Sequence, residues 1–217
     1  MSNFDQQREA MVQHQLKARG IRDERVLEAM RLVPRELFVP KNCRHSSYSD
    51  GPLPIEAGQT ISQPYIVALM AEALNLRETD RVLEVGAGSG YAAAVLGQIA
   101  KAVYAIEYYD ELATLARQRM AVLGYHNVEI KQGDGAHGWA SRAPFDAILV
   151  SAAAPEVPPT LLEQLAVGGC MVMPVGAPRG GQELLRVRKT EDRCYQQESL
   201  GGVQFVPLVG GTDCPRD

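Results

Sequence analysis

The chain has 217 residues, 46% of them hydrophobic and 22% charged, close to the globular average. A chain this long buries roughly 70% or more of its unfolded surface, so general disorder is excluded and no disulfide or metal staple is needed for folding. Lysine and arginine number 22 against 26 acids, a net charge of −4, which excludes an overall pull toward nucleic acid or anionic lipid but not a local basic patch.

The first forty residues read as helical. Met11, Val12 and Leu16 form an apolar stripe that Gly20 can close. Val26, Leu27, Met30 and Val33 recur at helical spacing after Asp23, a plausible N-cap. Pro34 and Pro40 then break the pattern. From Lys41 to Gln63 the chain is rich in Ser, Gly, Pro and Asp and reads as a long loop, a feature that is uncommon unless functional. Pro64 suits the first turn of a helix whose apolar face carries Ile66, Leu69, Met70, Ala73 and Leu74.

From Arg81 onward strands and helices alternate. Strands are expected at Arg81–Val85, Val103–Glu107, Asn127–Lys131, Phe145–Val150 and Gly169–Val175. Helices are expected from Tyr91 to Ala100, from an Asp110 cap to about Leu123, and from Pro159 to Leu165. Between Glu183 and Val206 the runs LLRVRK, CYQQESL and VQFVPL look like further strands. This order predicts an α/β fold: a doubly wound, mostly parallel sheet with an antiparallel C-terminal edge and N-terminal helices. No run reaches the roughly 18 apolar residues of a membrane span. Met1–Ala10 is polar and lacks an export pattern, so the cytoplasm is the default compartment. The cysteines (Cys43, Cys170, Cys194, Cys214) and the histidines (His14, His45, His126, His137) show neither disulfide nor metal-ligand spacing, and no metal is expected.

The strongest local signal is Glu84-Val85-Gly86-Ala87-Gly88-Ser89-Gly90, between a strand and a helix. Ligands in such sheets sit beyond the carboxyl ends of the strands. Glycines there let the backbone approach a ligand and adopt angles that a Cβ forbids. A dinucleotide fingerprint needs G-x-G-x-x-G, whereas this spacing is G-x-G-x-G and Tyr91 occupies the place of the third glycine. Glu84 adds a negative charge before the turn, which suits a cationic ligand with an amino-acid moiety, such as S-adenosylmethionine. Glu107 ends the next strand, where an acid can accept both hydroxyls of a ribose. Tyr108 could pack on an adenine ring. Asp134, within Gly133-Asp134-Gly135, can accept from an adenine amino group, or can simply form a turn.

The segment Gly58-Gln59-Thr60-Ile61-Ser62-Gln63-Pro64-Tyr65 resembles the signature of the protein-L-isoaspartate O-methyltransferase family. Arg81–Tyr91, Gly133–Gly135, Ala143–Pro155, Gly168–Gly176 and Phe205–Leu208 agree in order and spacing, from about Arg8 to Val209. The resemblance implies a Rossmann-like class I S-adenosylmethionine-dependent methyltransferase fold. It implies methyl transfer from S-adenosyl-L-methionine to the free α-carboxylate of L-isoaspartyl residues, and also D-aspartyl residues, in damaged proteins and peptides. S-adenosyl-L-homocysteine is then the product, and the ester cyclises to a succinimide that hydrolyses partly to aspartate. By the same resemblance Ser62 is the active-site serine, and Gln59, Thr60 and Ile61 line the junction of donor and substrate. Glu84, Gly86, Gly88 and Gly90 hold the methionine end of the donor, Glu107 and Tyr108 its ribose and adenine, and Asp134 and Gly135 its adenine. Thr60, Ser62 and Ala153 face the substrate.

A carboxylate is already ionised at neutral pH, so this chemistry needs no general base. It needs oxygen, methyl and sulfur in line with water excluded. Ser62 can position a carboxylate oxygen, and its hydroxyl is also placed to cap the helix starting near Pro64. Glu56 departs from the expected pattern and would repel a carboxylate if it pointed inward. One methyltransferase domain is expected over 1–217, comprising N-terminal helices and substrate loop (1–63), donor-binding core (64–176) and C-terminal strands (177–217). It is expected to act as a monomer with no nucleic-acid or membrane partner, and the tail after Val209 is expected to fray. The alternatives are another S-adenosylmethionine-dependent O-methyltransferase acting on a small carboxylate, a donor-binding protein without catalysis, and a nucleotide-dependent oxidoreductase.

Overall fold

The computed structural model describes residues 3–177 and 180–210. Cys214 and the tail from Gly211, for which fraying is expected, lie outside the described residues. Helix α1 (Asn3–Met11) runs into a π-helical turn, Val12–Leu16, and a tight turn, Lys17–Arg19, that Gly20 closes at φ 103°. Only glycine takes that left-handed angle without strain. Helix α2 (Glu24–Leu32) starts as expected, with the Asp23 carboxylate accepting from the Arg25 amide. The loop that follows contains a short two-stranded ribbon, β1 (Leu53–Pro54) with β2 (Thr60–Ile61), paired antiparallel. Helix α3 (Pro64–Leu74) has Gln63 at its N-cap position, with no side-chain cap. The Ser62 hydroxyl therefore does not serve as a helix cap.

The alternating core follows: β3 (Arg81–Val85), α4 (Tyr91–Gly97), β4 (Ala102–Glu107), α5 (Asp110–Leu123), β5 (Val128–Gln132), β6 (Phe145–Val150), α6 (Pro159–Gln164), β7 (Leu165–Ala177), β8 (Gly181–Glu191) and β9 (Cys194–Val203). The sheet order is β5-β4-β3-β6-β7-β8-β9. The first five strands in that order are parallel, and β8 and β9 add an antiparallel edge. Val82, Leu83, Val103, Ala105, Ile148 and Leu149 are buried because helices cover both faces of the parallel part. Lys189 is buried as well, and its ammonium donates to the carbonyl of Leu165 at the end of α6.

Three expectations need correction. Tyr109, not Asp110, holds the N-cap position of α5, and Asp110 is its first residue. The run VQFVPL is not a strand: β9 stops at Val203, and among the described residues beyond it only Pro207 forms a bridge, to Ala153. Helix α3 does not turn its whole apolar face to the core. Met70, Ala73 and Leu74 are buried, but Ile66 and Leu69 are only partly covered and line an open cleft.

The N-terminal helices are tied to the core through a buried cation. Arg35 has no solvent exposure. Its Nε donates to the Ser47 carbonyl at 2.8 Å and its Nη2 to the Ser62 carbonyl at 2.9 Å. The guanidinium carbon lies 4.8 Å from the centre of the Tyr91 ring at the start of α4. Burial pulls the guanidinium below its ordinary range and pushes the Tyr91 phenol up to about 12.

Gly90 has φ 88°, and a Cβ there would lie 3.1 Å from Met120 Cε and 3.2 Å from Ala116 Cβ on α5. Its role here is to let α4 and α5 pack. Gly90→Ala is expected to lower folding stability by about 1–3 kcal/mol, read from the urea midpoint. An unchanged midpoint would contradict this packing role.

Candidate functional site

The site lies beyond the carboxyl ends of β3, β4 and β6. The amides of Gly86 and Ala87 donate to the Ile106 carbonyl, at 2.9 and 3.1 Å, and so turn the chain sharply after β3. Gly86 and Gly88 have φ of 83° and 53°, both left-handed. Glu107, at the end of β4, fastens this turn. Its Oε2 accepts from the Gly88 amide at 2.7 Å and its Oε1 from the Tyr109 amide at 2.9 Å. A carboxylate has about four acceptor positions, so two remain for a ligand's hydroxyls.

Glu84 is only 1% exposed, and its Oε2 is buried without a hydrogen-bond partner. Burial pushes this carboxyl well above the usual carboxylate range, and the nearby Glu107 charge adds to the shift. A pair of acids in low dielectric, one with an unpaired oxygen, is chemistry suited to a cation. The donor set therefore fits a ligand bearing an ammonium and a ribose.

A small cleft of about 60 Å³ sits over the glycine turn. It is lined by Gln59, Thr60, Gly86, Gly88, Glu107, Tyr108 and Gly135, seven of the positions singled out in the sequence for donor binding. Glu84 lies beneath this surface, and Gly90 packs away from it. Asp134 starts the turn Gly135–His137, with Oδ1 accepting from the Ala136 amide at 2.9 Å, and Gly210 passes close to its carboxylate. Tyr108 is 43% exposed and meets Tyr109 edge-on with ring centres 5.5 Å apart.

A second cleft, of about 950 Å³, opens beside the first. Ser62 lies on its wall with Ile66 and Leu69 of α3, the β9 residues Leu200 and Val203, and Phe205. Thr60, Ser151 and Val206 line both clefts. Ile61 is buried and reaches a narrow space of about 40 Å³ that also touches Ser62, Gly86 and Ser151. The Ser62 hydroxyl makes no hydrogen bond among the described residues, while the Ser62 carbonyl is held by Arg35. The backbone is thus fixed and the hydroxyl is left available.

Ala153, expected to face substrate, lines neither cleft and is buried. Its amide donates to the Val206 carbonyl at 2.9 Å, and its carbonyl accepts from the Leu208 amide at 2.7 Å. It pins the segment after β9 over the junction of the two clefts. Gln182 helps, exchanging two hydrogen bonds with the Phe205 backbone, at 2.7 and 3.1 Å. Sequence reasoning missed Ser151, Gln182 and Val206–Val209 as site residues. Phe205–Leu208 carried a family resemblance but no chemical group that announced a role. Glu56 does not point into the large cleft: its Oε1 lies 3.7 Å from Arg119 Nη2 on α5.

The raised Glu84 carboxyl has a signed consequence. In the folded ligand-free chain it keeps its proton where the unfolded chain loses it, so its contribution to stability falls as pH rises above about 4.5. Glu84→Gln is therefore expected to become progressively more stable relative to the parent as pH rises above about 4.5, by denaturant midpoints without ligand. A difference independent of pH would contradict the burial reading.

Comparison with known proteins shows the family. The model of the protein-L-isoaspartate(D-aspartate) O-methyltransferase (PCMT) family matches residues 6–213. The chain is 58% identical over 210 residues to protein-L-isoaspartate O-methyltransferase 2 of Pelobacter propionicus, covering 97% of this chain and 93% of that one. It is 54% identical over 209 residues to protein-L-isoaspartate O-methyltransferase 1 of Rhodopseudomonas palustris, covering 96% and 85%. Among solved structures, one protein-L-isoaspartate O-methyltransferase superposes with a TM-score of 0.84 at 30% identity, over 94% of this chain and 66% of that one. A structure from Plasmodium falciparum in complex with S-adenosyl-L-homocysteine superposes with a TM-score of 0.79 at 25% identity, over 96% and 99%. The chain belongs to the protein-L-isoaspartate(D-aspartate) O-methyltransferase family.

Proposed function

We propose that this enzyme methylates the free α-carboxylate of L-isoaspartyl residues in damaged proteins and peptides, with S-adenosyl-L-methionine as donor. The observation that carries the reading is the large cleft itself. It joins the glycine-turn cleft at Thr60 and Ser151, presents the unengaged Ser62 hydroxyl, and is lined by one cation, Arg19, and no carboxylate. No acid lines the cleft, and Asp50, which bonds two residues of its wall, is ion-paired to Arg19, which suits an anionic substrate. A volume of about 950 Å³ has room for a length of peptide, which favours a peptide acceptor over a small carboxylic acid.

S-adenosylmethionine supplies an electrophilic methyl group when bound. The chain's own part is to bind, orient and exclude water. In this reading Glu84 offers its unpaired oxygen to the donor's ammonium, Gly86 and Gly88 let the backbone approach, and Glu107 accepts from the ribose hydroxyls. Tyr108, Asp134 and Gly135 flank the adenine, and Gln59, Thr60 and Ile61 form the boundary with substrate. Ser62 donates a hydrogen bond to one oxygen of the substrate carboxylate, leaving the other to react. No base is needed, because the carboxylate arrives ionised. The segment Val206–Val209 roofs the junction and limits water. We extend the proposal to D-aspartyl sites, to action as one unit over the whole chain, as a monomer in the cytoplasm, and to no nucleic-acid or membrane partner. No helix among the described residues is long and apolar enough to cross a membrane.

The test is transfer of labelled methyl to a peptide with one isoaspartyl residue, beside the same peptide with aspartate. Base-labile label on the isoaspartyl peptide alone is expected. Equal labelling of both, or of neither while the donor binds, would overturn the substrate assignment. Ser62→Ala is expected to lower kcat about 10- to 100-fold while donor Kd changes less than about twofold. Parallel loss of both would mean that Ser62 acts through the fold instead.

A further inference from the structure

Arg19 is the last residue of the turn that Gly20 closes, and it stands on the wall of the large cleft. Its setting is prepared in advance. The guanidinium carbon lies 3.6 Å from the centre of the Tyr65 ring. Its Nη1 donates to both oxygens of Asp50, each at 3.2 Å. Asp50 is itself held by the Gln63 side-chain amide at 2.7 Å, one residue from Ser62. Stacking and ion pairing thus fix the plane of a side chain that would otherwise sweep a wide volume. Only Nη1 is engaged: Nε and Nη2 have no hydrogen-bond partner among the described residues. Those two donors lie on one edge of the guanidinium and match the two oxygens of a carboxylate.

The rest of the wall sharpens the contrast. Apart from Arg19, the cleft is lined by apolar and neutral polar residues. Ser62 and the donor cleft account for the reacting carboxylate, and Arg19 is not needed for that step. We propose that Arg19 is a specificity-determining residue that binds a second carboxylate of the peptide, on an acidic residue flanking the isoaspartyl site. The enzyme then selects damaged sites in acidic surroundings over neutral or basic ones. This rests on the isoaspartyl reading above and deepens it to a sequence preference. Asp50 limits the effect by partly neutralising the cation, and both side chains are more than 40% exposed, so the selectivity is moderate.

The test uses isoaspartyl peptides of one parent sequence with Glu, Gln or Lys at each of the two positions on either side of the damaged residue. For the intact enzyme, kcat/KM for the best Glu peptide is expected to exceed that of its Gln counterpart roughly two- to tenfold, mainly through KM, with Lys lower still. Added salt shrinks this ratio. In Arg19→Gln the Glu-to-Gln ratio falls to near one, and in Arg19→Lys, which keeps the charge but loses the planar fork, it is intermediate. Equal kcat/KM for Glu and Gln at every position, or a preference that survives in Arg19→Gln, would overturn the proposal. Turnover of the Gln peptide by the intact enzyme reports the underlying methylation separately, so loss of selectivity and failure of the isoaspartyl reading are distinguishable.

Discussion

Glu84 is buried at the carboxyl end of a central parallel strand, beside a second buried acid, and one of its oxygens has no partner. An unpaired carboxylate in low dielectric is costly, and the carboxyl responds by holding its proton more tightly. The surrounding geometry serves this arrangement. β3 and β4 run parallel with Glu84 opposite Ala105, which puts Glu107 two residues further along the neighbouring strand, within reach of the Glu84 charge. The chain must turn at Gly86 and Gly88 with left-handed angles for the Gly88 amide to reach Glu107. In the proposed reading a cationic ligand relieves the cost that the ligand-free fold carries, so affinity for the donor and strain in its absence would have one physical source.

Around this centre, segments from both ends of the chain complete the site. Arg35, inserted from the N-terminal helices, holds the Ser62 carbonyl while resting against Tyr91 behind the glycine turn. The two halves of the proposed reaction thereby share one buried guanidinium. At the other end, the segment after β9 is tied to Ala153 and Gln182 and lies along the line where the two clefts meet. Small residues at Ala152–Ala154 allow that close approach.

The parallel core could be read from the sequence because strands buried on both faces leave short apolar runs, as in Arg81–Val85 and Phe145–Val150, although the helix boundaries expected at Asp110 and Ala100 are misplaced by one to three residues. The cleft proposed for the donor was legible for a related reason. Its parts sit on turns at strand ends, and their spacing from the strands is local. What escaped was long-range. Nothing near Arg35 in sequence says that its partners are the carbonyls of Ser47 and Ser62. The apolar residues Ile66 and Leu69 read as core because periodicity reports hydrophobicity, not whether a cleft or a sheet covers it. Phe205–Leu208 reads as a strand by composition, yet it bends to bridge Ala153. Ser62 satisfied a local rule for helix caps that tertiary structure did not use.

The most direct test of this account is the proton balance of donor binding, measured by calorimetry at a series of pH values from about 4.5 to 7 in buffers of different ionisation enthalpy. The donor's own amino group stays mostly protonated over that range. If its ammonium pairs with the buried Glu84 carboxylate, binding S-adenosylmethionine releases protons from the intact enzyme and releases fewer from Glu84→Gln. Proton release that is absent, or identical in the two proteins, would contradict the central claim that the buried acid pair is the donor's electrostatic partner.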